Sequence, residues 1–228
     1  MEIKTILEKN MNSGQSADDI LKMAYKMQQS MALYESGIQE IRTKLEILQR
    51  EAQCTNSHNP IETIKSRVKN IFSIVEKLER KGYEISMESI EENLYDVAGV
   101  RVICPYIEDI YTVASRIRRQ DDIKVLLEKD YIKNPKPNGY RSYHVVVEVP
   151  VFLSDRKQPV RVEIQIRTIA MDFWASLEHQ IRYKMDDIKI PEGLSEKLRN
   201  CAETIAETDQ QMQKIYQEVR QLNPEEVH

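Results

Sequence analysis

Residues Val160 to Arg167, VRVEIQIR, alternate apolar and polar without a slip. Side chains of a strand point to opposite faces in turn. Val162, Ile164 and Ile166 therefore share one face, and Arg161, Glu163, Gln165 and Arg167 share the other. The apolar face needs a packed core behind it. The polar face either meets solvent or lines a cleft, and this segment alone leaves both open. Tyr143 to Val149 reads as a second strand, joined to the first by a short turn around Ser154 to Gln158.

The rest of the chain supplies layers for such a sheet. Ala98 to Cys104 (AGVRVIC) reads as a buried strand ended by Pro105, Ile107 to Arg119 as a helix, and Ile123 to Leu127 as a further strand. Ala17 to Gln53 is nearly free of breakers. Ile20, Met23, Ala24 and Met27, then Ile41, Leu45 and Leu48, recur at helical spacing, giving one long helix or two broken near Gly37. Asn59-Pro60 reads as a helix entry, and Ile61 to Lys81 as a second helical block stopped by Gly82. Thr168 to Lys184 is a helix with the only tryptophan. After Pro191 an amphipathic helix runs from Leu194 to Leu222, and the tail beyond Pro224 is expected to fray. The fold class is α+β: an α/β mixed sheet of about five strands flanked by helices.

Charge and composition exclude several classes. The net charge of −4 gives no global basic field, which argues against a protein built to hold duplex nucleic acid, although a local basic cleft is compatible with it. Three cysteines outside any C-x-x-C pattern fit a reduced, cytoplasmic setting. MEIKTILEKN lacks the apolar core of a signal peptide, and no run approaches a membrane span. The four histidines lack zinc-ligand spacing.

Three segments beside the alternating strand carry chemistry. Asp96, in YDVAGVR, stands at the mouth of a strand, with Gly99 allowing close backbone approach and Arg101 projecting from the strand. Such an Asp is either a local turn former or, together with Glu163, half of a carboxylate pair suited to Mg²⁺. In SRVKNIFSIVEKLERKG, helical stepping puts Lys69, Ser73, Lys77 and Arg80 on one stripe. That stripe is either a solvated face or a polyphosphate grip. Arg67 falls amid the apolar positions, so the regular helix begins later or Arg67 is steered toward a ligand. The loop Asp130 to His144, DYIKNPKPNGYRSYH, combines turn-forming prolines and Gly139 with cations and rings that suit phosphate and a base. On the helix after the alternating strand, Trp174 reads as core, and Glu178 and His179 as structural hydrogen-bonders. His58 reads as a local cap or surface residue.

Together these segments resemble the synthetase domain of the RelA/SpoT homologues, and most closely the single-domain small alarmone synthetases. The likeness runs from His58 to Lys184 through HNPIE, SRVK, SIVEKLERKG, DVAGVRV, PKPNGYRSYH, VEIQIRT and AMDFWASLEHQIRYK. The wording of TIKSRVK, PKPNGYRS and IAMDFWASLEH leans toward the RelP-type branch. The resemblance implies a nucleotidyltransferase-like fold. It divides the chain into an N-terminal helical segment (1–57), a synthetase core (58–190) and a C-terminal helix and tail (191–228), the two outer segments serving oligomerisation.

The implied reaction is Mg²⁺-dependent transfer of the β,γ-pyrophosphate of ATP to the ribose 3′-hydroxyl of GDP or GTP, giving AMP and ppGpp or pppGpp. Some members also accept GMP. By motif, Asp96 and Glu163 would hold Mg²⁺, and Glu163 would also be the general base. Arg67 and Arg101 would sandwich the adenine, and Lys77 and Arg80 would grip the ATP phosphates, with Lys69 and Ser73 in the same block. Tyr140 would stack on guanine and Asn138 would bond its edge. Lys136, His144 and Gln165, and more weakly Arg141 and Arg167, would hold the rest of the acceptor. The resemblance further implies a homotetramer, an alarmone effector, and no obligatory nucleic acid or membrane. With no His-Asp dipeptide and no room for a hydrolase or regulatory domain, synthesis without hydrolysis or direct ribosome control is expected. Two other readings compete. A nucleotidyltransferase proper would carry a Gly-Ser pair followed by paired aspartates, which is not evident. A catalytically inactive nucleotide- or RNA-binding regulator would have no need of both Asp96 and Glu163.

Overall fold

The computed structural model describes residues 17–55, 58–183 and 193–222; the tail after Pro224 and the outermost part of the N-terminal segment lie outside them. Its frame is α1 (Ala17–Cys54), β1 (Thr63–Val68), α2 (Ile71–Lys81), α3 (Met87–Asn93), β2 (Ala98–Cys104) and α4 (Ile107–Arg118), then β3 (Lys124–Asp130), β4 (Tyr143–Phe152), β5 (Lys157–Thr168), α5 (Ile169–Tyr183) and α6 (Leu194–Leu222). The five strands form one sheet in the order β1-β2-β5-β4-β3, in which only β2 and β5 run parallel.

The sheet has a dry back and a polar front. Val100, Val102, Val145, Val147, Val162, Ile164 and Ile166 face backward and are buried with Tyr34, Ile38, Ile41 and Leu45 of α1 and Ile110, Val113 and Ile117 of α4. Burial of each such side chain contributes about 1.5–3 kcal/mol, so the back face anchors the register of the three central strands, β2, β5 and β4. A one-residue slip would turn this set to solvent.

Two sequence expectations change. The first is the block read as one helix from Ile61 to Lys81. Its first part, Thr63–Val68, is an edge strand whose residues alternate exposed and half-buried. Ser66 turns back toward α1, where Arg42 donates to its hydroxyl at 3.3 Å, while Lys65 and Arg67 turn forward. Asn59 accepts from the Ile61 N–H at 3.1 Å, which directs the chain into this strand and not into a helix. The helix begins only at Ile71, capped by Asn70, whose side-chain oxygen accepts from the Ser73 N–H at 2.8 Å, and Gly82 ends it at φ 71° as expected. Arg67 is therefore a strand residue, which resolves its odd place in a helical count.

The second change is at Gly37. α1 is unbroken across it. A Cβ there would stand 2.6 Å from Val160 Cγ1, so the glycine lets the helix cross β5 closely. Gly99 behaves oppositely, since a Cβ there would meet only the Arg67 carbonyl at 3.7 Å. Among the described residues no neighbouring atom requires that glycine, and it leaves open floor at the front of the sheet.

The front is only partly covered. Trp174 of α5 is buried as expected, donating its indole N–H to the Leu198 carbonyl at 3.0 Å and packing with Ala202 and Ile205 of α6. The far half of α6 is held by Tyr216, stacked on Tyr106 at 4.0 Å beside His58. His58 Nε2 lies 2.8 Å from Asp109 Oδ1, so it latches the core to α6 rather than sitting free on the surface.

Candidate active site

Strand pairing gathers the polar residues that the sequence scatters. Arg67 pairs with Gly99, Gly99 with Glu163, and Glu163 with Val146. One row along, Lys65, Arg101, Gln165, His144 and Lys129 are successive partners across all five strands. Directly paired residues share a face. The polar side of VRVEIQIR is thus the floor of a cleft, not a wet surface.

Glu163 lies at the centre of this floor. Its Oε1 is 3.0 Å from His144 Nδ1, and its Oε2 accepts from the Gln165 amide at 2.9 Å. Burial pushes the Glu163 carboxyl up, but the His144 ring and the Gln165 amide outweigh it and leave it below the ordinary carboxylate value. An ionised carboxylate only accepts, so Nδ1 carries the ring proton. In the neutral ring Nε2 then accepts from the Tyr140 hydroxyl, 2.8 Å away. Arg167 Nη2 donates to the same hydroxyl, completing a chain from Arg167 through Tyr140 and His144 to Glu163.

Asp96 stands at the mouth of β2, as expected. Its Oδ2 accepts from Lys69 at 3.0 Å and Lys77 at 2.7 Å, and Oδ1 is buried without a partner among the described residues. Burial pushes this carboxyl up as well, and the two lysines pull it below its ordinary value. An orphaned carboxylate oxygen is costly unless a cation completes it. It fits Mg²⁺, which binds through one or two carboxylates plus substrate phosphates. No cluster of three or more potential protein ligands occurs among the described residues, so phosphates would have to supply much of the coordination. Ser73 lies in the first turn of α2 and Arg80 in its exposed last turn, on the same helix as Lys77.

The Pro/Gly loop forms the opposite wall. Lys136 Nζ stands 4.7 Å from the Tyr140 ring centroid and 4.8 Å from that of Tyr131, whose ring also meets His144 edge-on at 5.2 Å. Asn138 donates to Glu178 at 3.1 Å and accepts from the Tyr140 N–H at 3.2 Å. Gly139 has φ 89°, and the loop docks on α6 there. Arg141 donates to the Gly139 carbonyl at 3.0 Å and the Ala202 carbonyl at 3.3 Å. Its guanidinium thus fastens the loop to α6, outside the Tyr140–His144–Glu163 group. Arg167 is buried, bonded to Gln165 at 2.8 Å and lying 5.0 Å from the Tyr140 ring centroid, so it braces that ring.

Sequence reasoning missed Asp172 and Tyr131. Asp172, in the first turn of α5, receives Lys65 at 3.2 Å, Arg101 at 3.1 Å and Arg167 at 3.3 Å. The signal available was a lone acid opening a helix directly after a strand rich in cations. Glu178, set aside as a structural hydrogen-bonder, is one: it orients Asn138.

Comparison with known proteins agrees with this geometry. A family model described as a region found in RelA / SpoT proteins matches residues 66–188. The chain is 45% identical to GTP pyrophosphokinase YwaC of Bacillus subtilis (strain 168) over 202 residues, covering 89% of this chain and 96% of that protein. It is 37% identical to GTP pyrophosphokinase YjbM of the same organism, covering 82% and 87%. Among solved structures, small alarmone synthetase 1 from Bacillus subtilis bound to its product pppGpp superposes with a TM-score of 0.79 at 36% identity, covering 86% of this chain and 98% of that one. Small alarmone synthetase 2 from Bacillus subtilis gives 0.76 at 46% identity, covering 84% and 98%. With its synthetase motifs set on one polar sheet face, this chain belongs to the RelA/SpoT family.

Proposed function

We propose that this chain is a GTP pyrophosphokinase that makes ppGpp or pppGpp from ATP and GDP or GTP. The observation that carries this reading is the place of Glu163: mid-floor, with Arg67 and Arg101 on one side and His144 and Tyr140 on the other. A base so placed lies between a donor nucleotide and an acceptor nucleotide.

In this reading Arg67 and Arg101 present flat guanidinium faces to adenine, and Lys77 and Arg80, with Lys69 and Ser73 nearby, meet the ATP phosphates. Tyr140 stacks on guanine, Asn138 bonds its edge, and Lys136, His144 and Gln165 hold the ribose and phosphates. Glu163 accepts the 3′-hydroxyl proton as that oxygen bonds to the β-phosphorus. The bond from the α,β-bridging oxygen to the β-phosphorus breaks, and AMP leaves. Asp96 and Glu163 would hold Mg²⁺, which would offset phosphate charge. Most of the acceleration then comes from positioning and charge stabilisation.

The RelP-type branch is part of this reading, supported by the motif wording. Synthesis without hydrolysis is proposed for these 228 residues alone, which contain no His-Asp dipeptide. A cytoplasmic setting belongs to the reading too, supported by three cysteines outside any C-x-x-C pattern; no helix among the described residues is long and apolar enough to cross a membrane. Self-association into a tetramer is supported by an exposed apolar row on α5 and another on α6, where Met212, Ile215, Val219 and Leu222 face outward.

Incubation with ATP, Mg²⁺ and each of GMP, GDP and GTP, with and without pppGpp, tests the reading. Equal amounts of AMP and a 3′-pyrophosphorylated guanosine nucleotide are expected. Release of inorganic phosphate, or extension of a nucleic acid, would overturn it. Stimulation by added pppGpp would identify the effector.

A further inference from the structure

Asp172 binds side chains from both halves of the cleft with one oxygen. Its Oδ1 accepts from Arg101 Nη1 at 3.1 Å and from Arg167 Nη1 at 3.3 Å, while Oδ2 takes Lys65 at 3.2 Å. An Asp in a first helical turn often serves only the helix start. Here that task falls to Thr168, whose hydroxyl accepts from the Met171 N–H at 3.1 Å. Both Asp172 oxygens are given to cations, although the residue is 8% exposed. A buried acid held by three cations is tied to their placement.

The shapes matter. A guanidinium hydrogen-bonds through its edge and stacks through its face. The carboxylate on the Nη1 edge of Arg101 anchors that edge and leaves the faces for a flat ligand. Arg167, held by the same oxygen, continues to the Tyr140 hydroxyl and lies 5.0 Å from the Tyr140 ring centroid. A shift of Asp172 toward either arginine must therefore be felt by the other.

We propose that Asp172 is a positioning residue that couples the two nucleotide sites, holding Arg101 for the donor base and, through Arg167, Tyr140 for the acceptor base. This rests on the site reading under Proposed function. Bound donor fixes Arg101 and so Asp172, which orders the acceptor platform before the acceptor arrives. The two nucleotides bind with positive cooperativity, and by linkage the effect is reciprocal.

The test is a cycle of Asp172→Asn and Arg101→Ala, read by KM for ATP, KM for GDP, and GDP affinity with and without a non-hydrolysable ATP analogue. Asp172→Asn raises both KM values by about tenfold, as loss of a charge-assisted contact does. It also removes the tightening of GDP by the analogue. In the Arg101→Ala background Asp172→Asn changes KM for ATP less than about twofold but still raises KM for GDP, because its route to ATP is already gone. Fully additive effects on KM for ATP, or an analogue effect that survives Asp172→Asn, would overturn the proposal. If Arg101→Ala leaves KM for ATP unchanged, the donor-site reading fails first and takes this proposal with it. Should Asp172→Asn not fold, Asp172→Glu keeps the charge and displaces it by one methylene. A folded Asp172→Glu enzyme with both KM values and the cooperativity unaltered would equally overturn it.

Discussion

His144 Nδ1 lies 3.0 Å from Glu163 Oε1, so the ring that reaches Tyr140 also holds the Glu163 carboxyl in its ionised form. Glu163 is drawn below its ordinary value of 4.5 against the upward push of burial. Removing the imidazole leaves burial less opposed, so His144→Phe raises the Glu163 pKa. In the proposed mechanism Glu163 acts as base when deprotonated, so the acid limb of kcat/KM for GDP should move to higher pH in the variant. The profile between pH 4 and 8 checks this. A loss of activity that is uniform across that range would show that His144 holds substrate without holding the base down.

Asp96 offers a separate test, because its two oxygens have different partners. Lys69 and Lys77 share Oδ2, and Oδ1 is buried with no hydrogen-bond partner among the described residues. Asp96→Asn keeps the shape and removes the charge. The Mg²⁺ concentration giving half-maximal activity should rise by about tenfold or more, as for a lost carboxylate ligand. The same carboxyl has a folded-state pKa below its ordinary 3.8. It therefore stabilises the fold above that ordinary value, and the contribution is lost as pH falls through the lower folded-state pKa. Asp96→Asn should flatten the acid end of stability against pH, measured by urea melts from pH 7 down to 3. An unchanged Mg²⁺ requirement would remove Asp96 from the metal site.

How much of this was legible in the chain depends on distance along it. VRVEIQIR announced its own two faces, and the amphipathic repeat of α6 gave both its ends at Leu194 and Leu222, because each pattern is local. β1 was hidden for the opposite reason. Six alternating residues abut an apolar helix, and their strand character is settled by pairing with β2, from Thr63 opposite Ile103 to Val68 opposite Ala98. Asn70 and Ser73 held the cap signal that would have split the block. In the site, Glu163, Gln165 and Arg167 followed from one strand's period. The Arg101–Asp172 bond joins residues 71 apart, and the Arg141 bond to Ala202 spans 61. Those depend on how α5 and α6 pack, which no local pattern encodes.

The docking of the loop on α6 makes Gly139 a sensitive position. At φ 89° an L side chain is strained, and an added Cβ would lie 2.5 Å from Ala202 Cβ. Gly139→Ala thus combines backbone strain with overpacking, each on the order of 1–3 kcal/mol. The loop carries Lys136, Asn138 and Tyr140, so KM for GDP should rise while KM for ATP stays within about twofold, a change of under half a kcal/mol. Ala202→Gly added to Gly139→Ala relieves the contact but not the strained φ, so recovery should be partial. Full recovery would show that the dihedral is easily borne, and none would show that the contact is not the cause.

α5 presents Asp172, Trp174 and Glu178 to the cleft and to α6, and a different surface outward. Ile169, Phe173, Leu177 and Ile181 recur every four residues and are 54%, 59%, 42% and 36% exposed. A contiguous apolar row on an otherwise charged chain is better suited to a partner than to water. The row lies on the helix that holds Arg101 and Asn138 through Asp172 and Glu178, so a second copy seated there would also steady the site. Phe173→Glu should lower the mass measured by light scattering while leaving the monomer folded, because Phe173 contributes nothing to the buried core. Activity per chain should fall as α5 loosens, with KM for ATP and KM for GDP rising together. An assembly of unchanged mass would place the interface elsewhere, and a smaller one with undiminished activity would show that α5 keeps its place unaided.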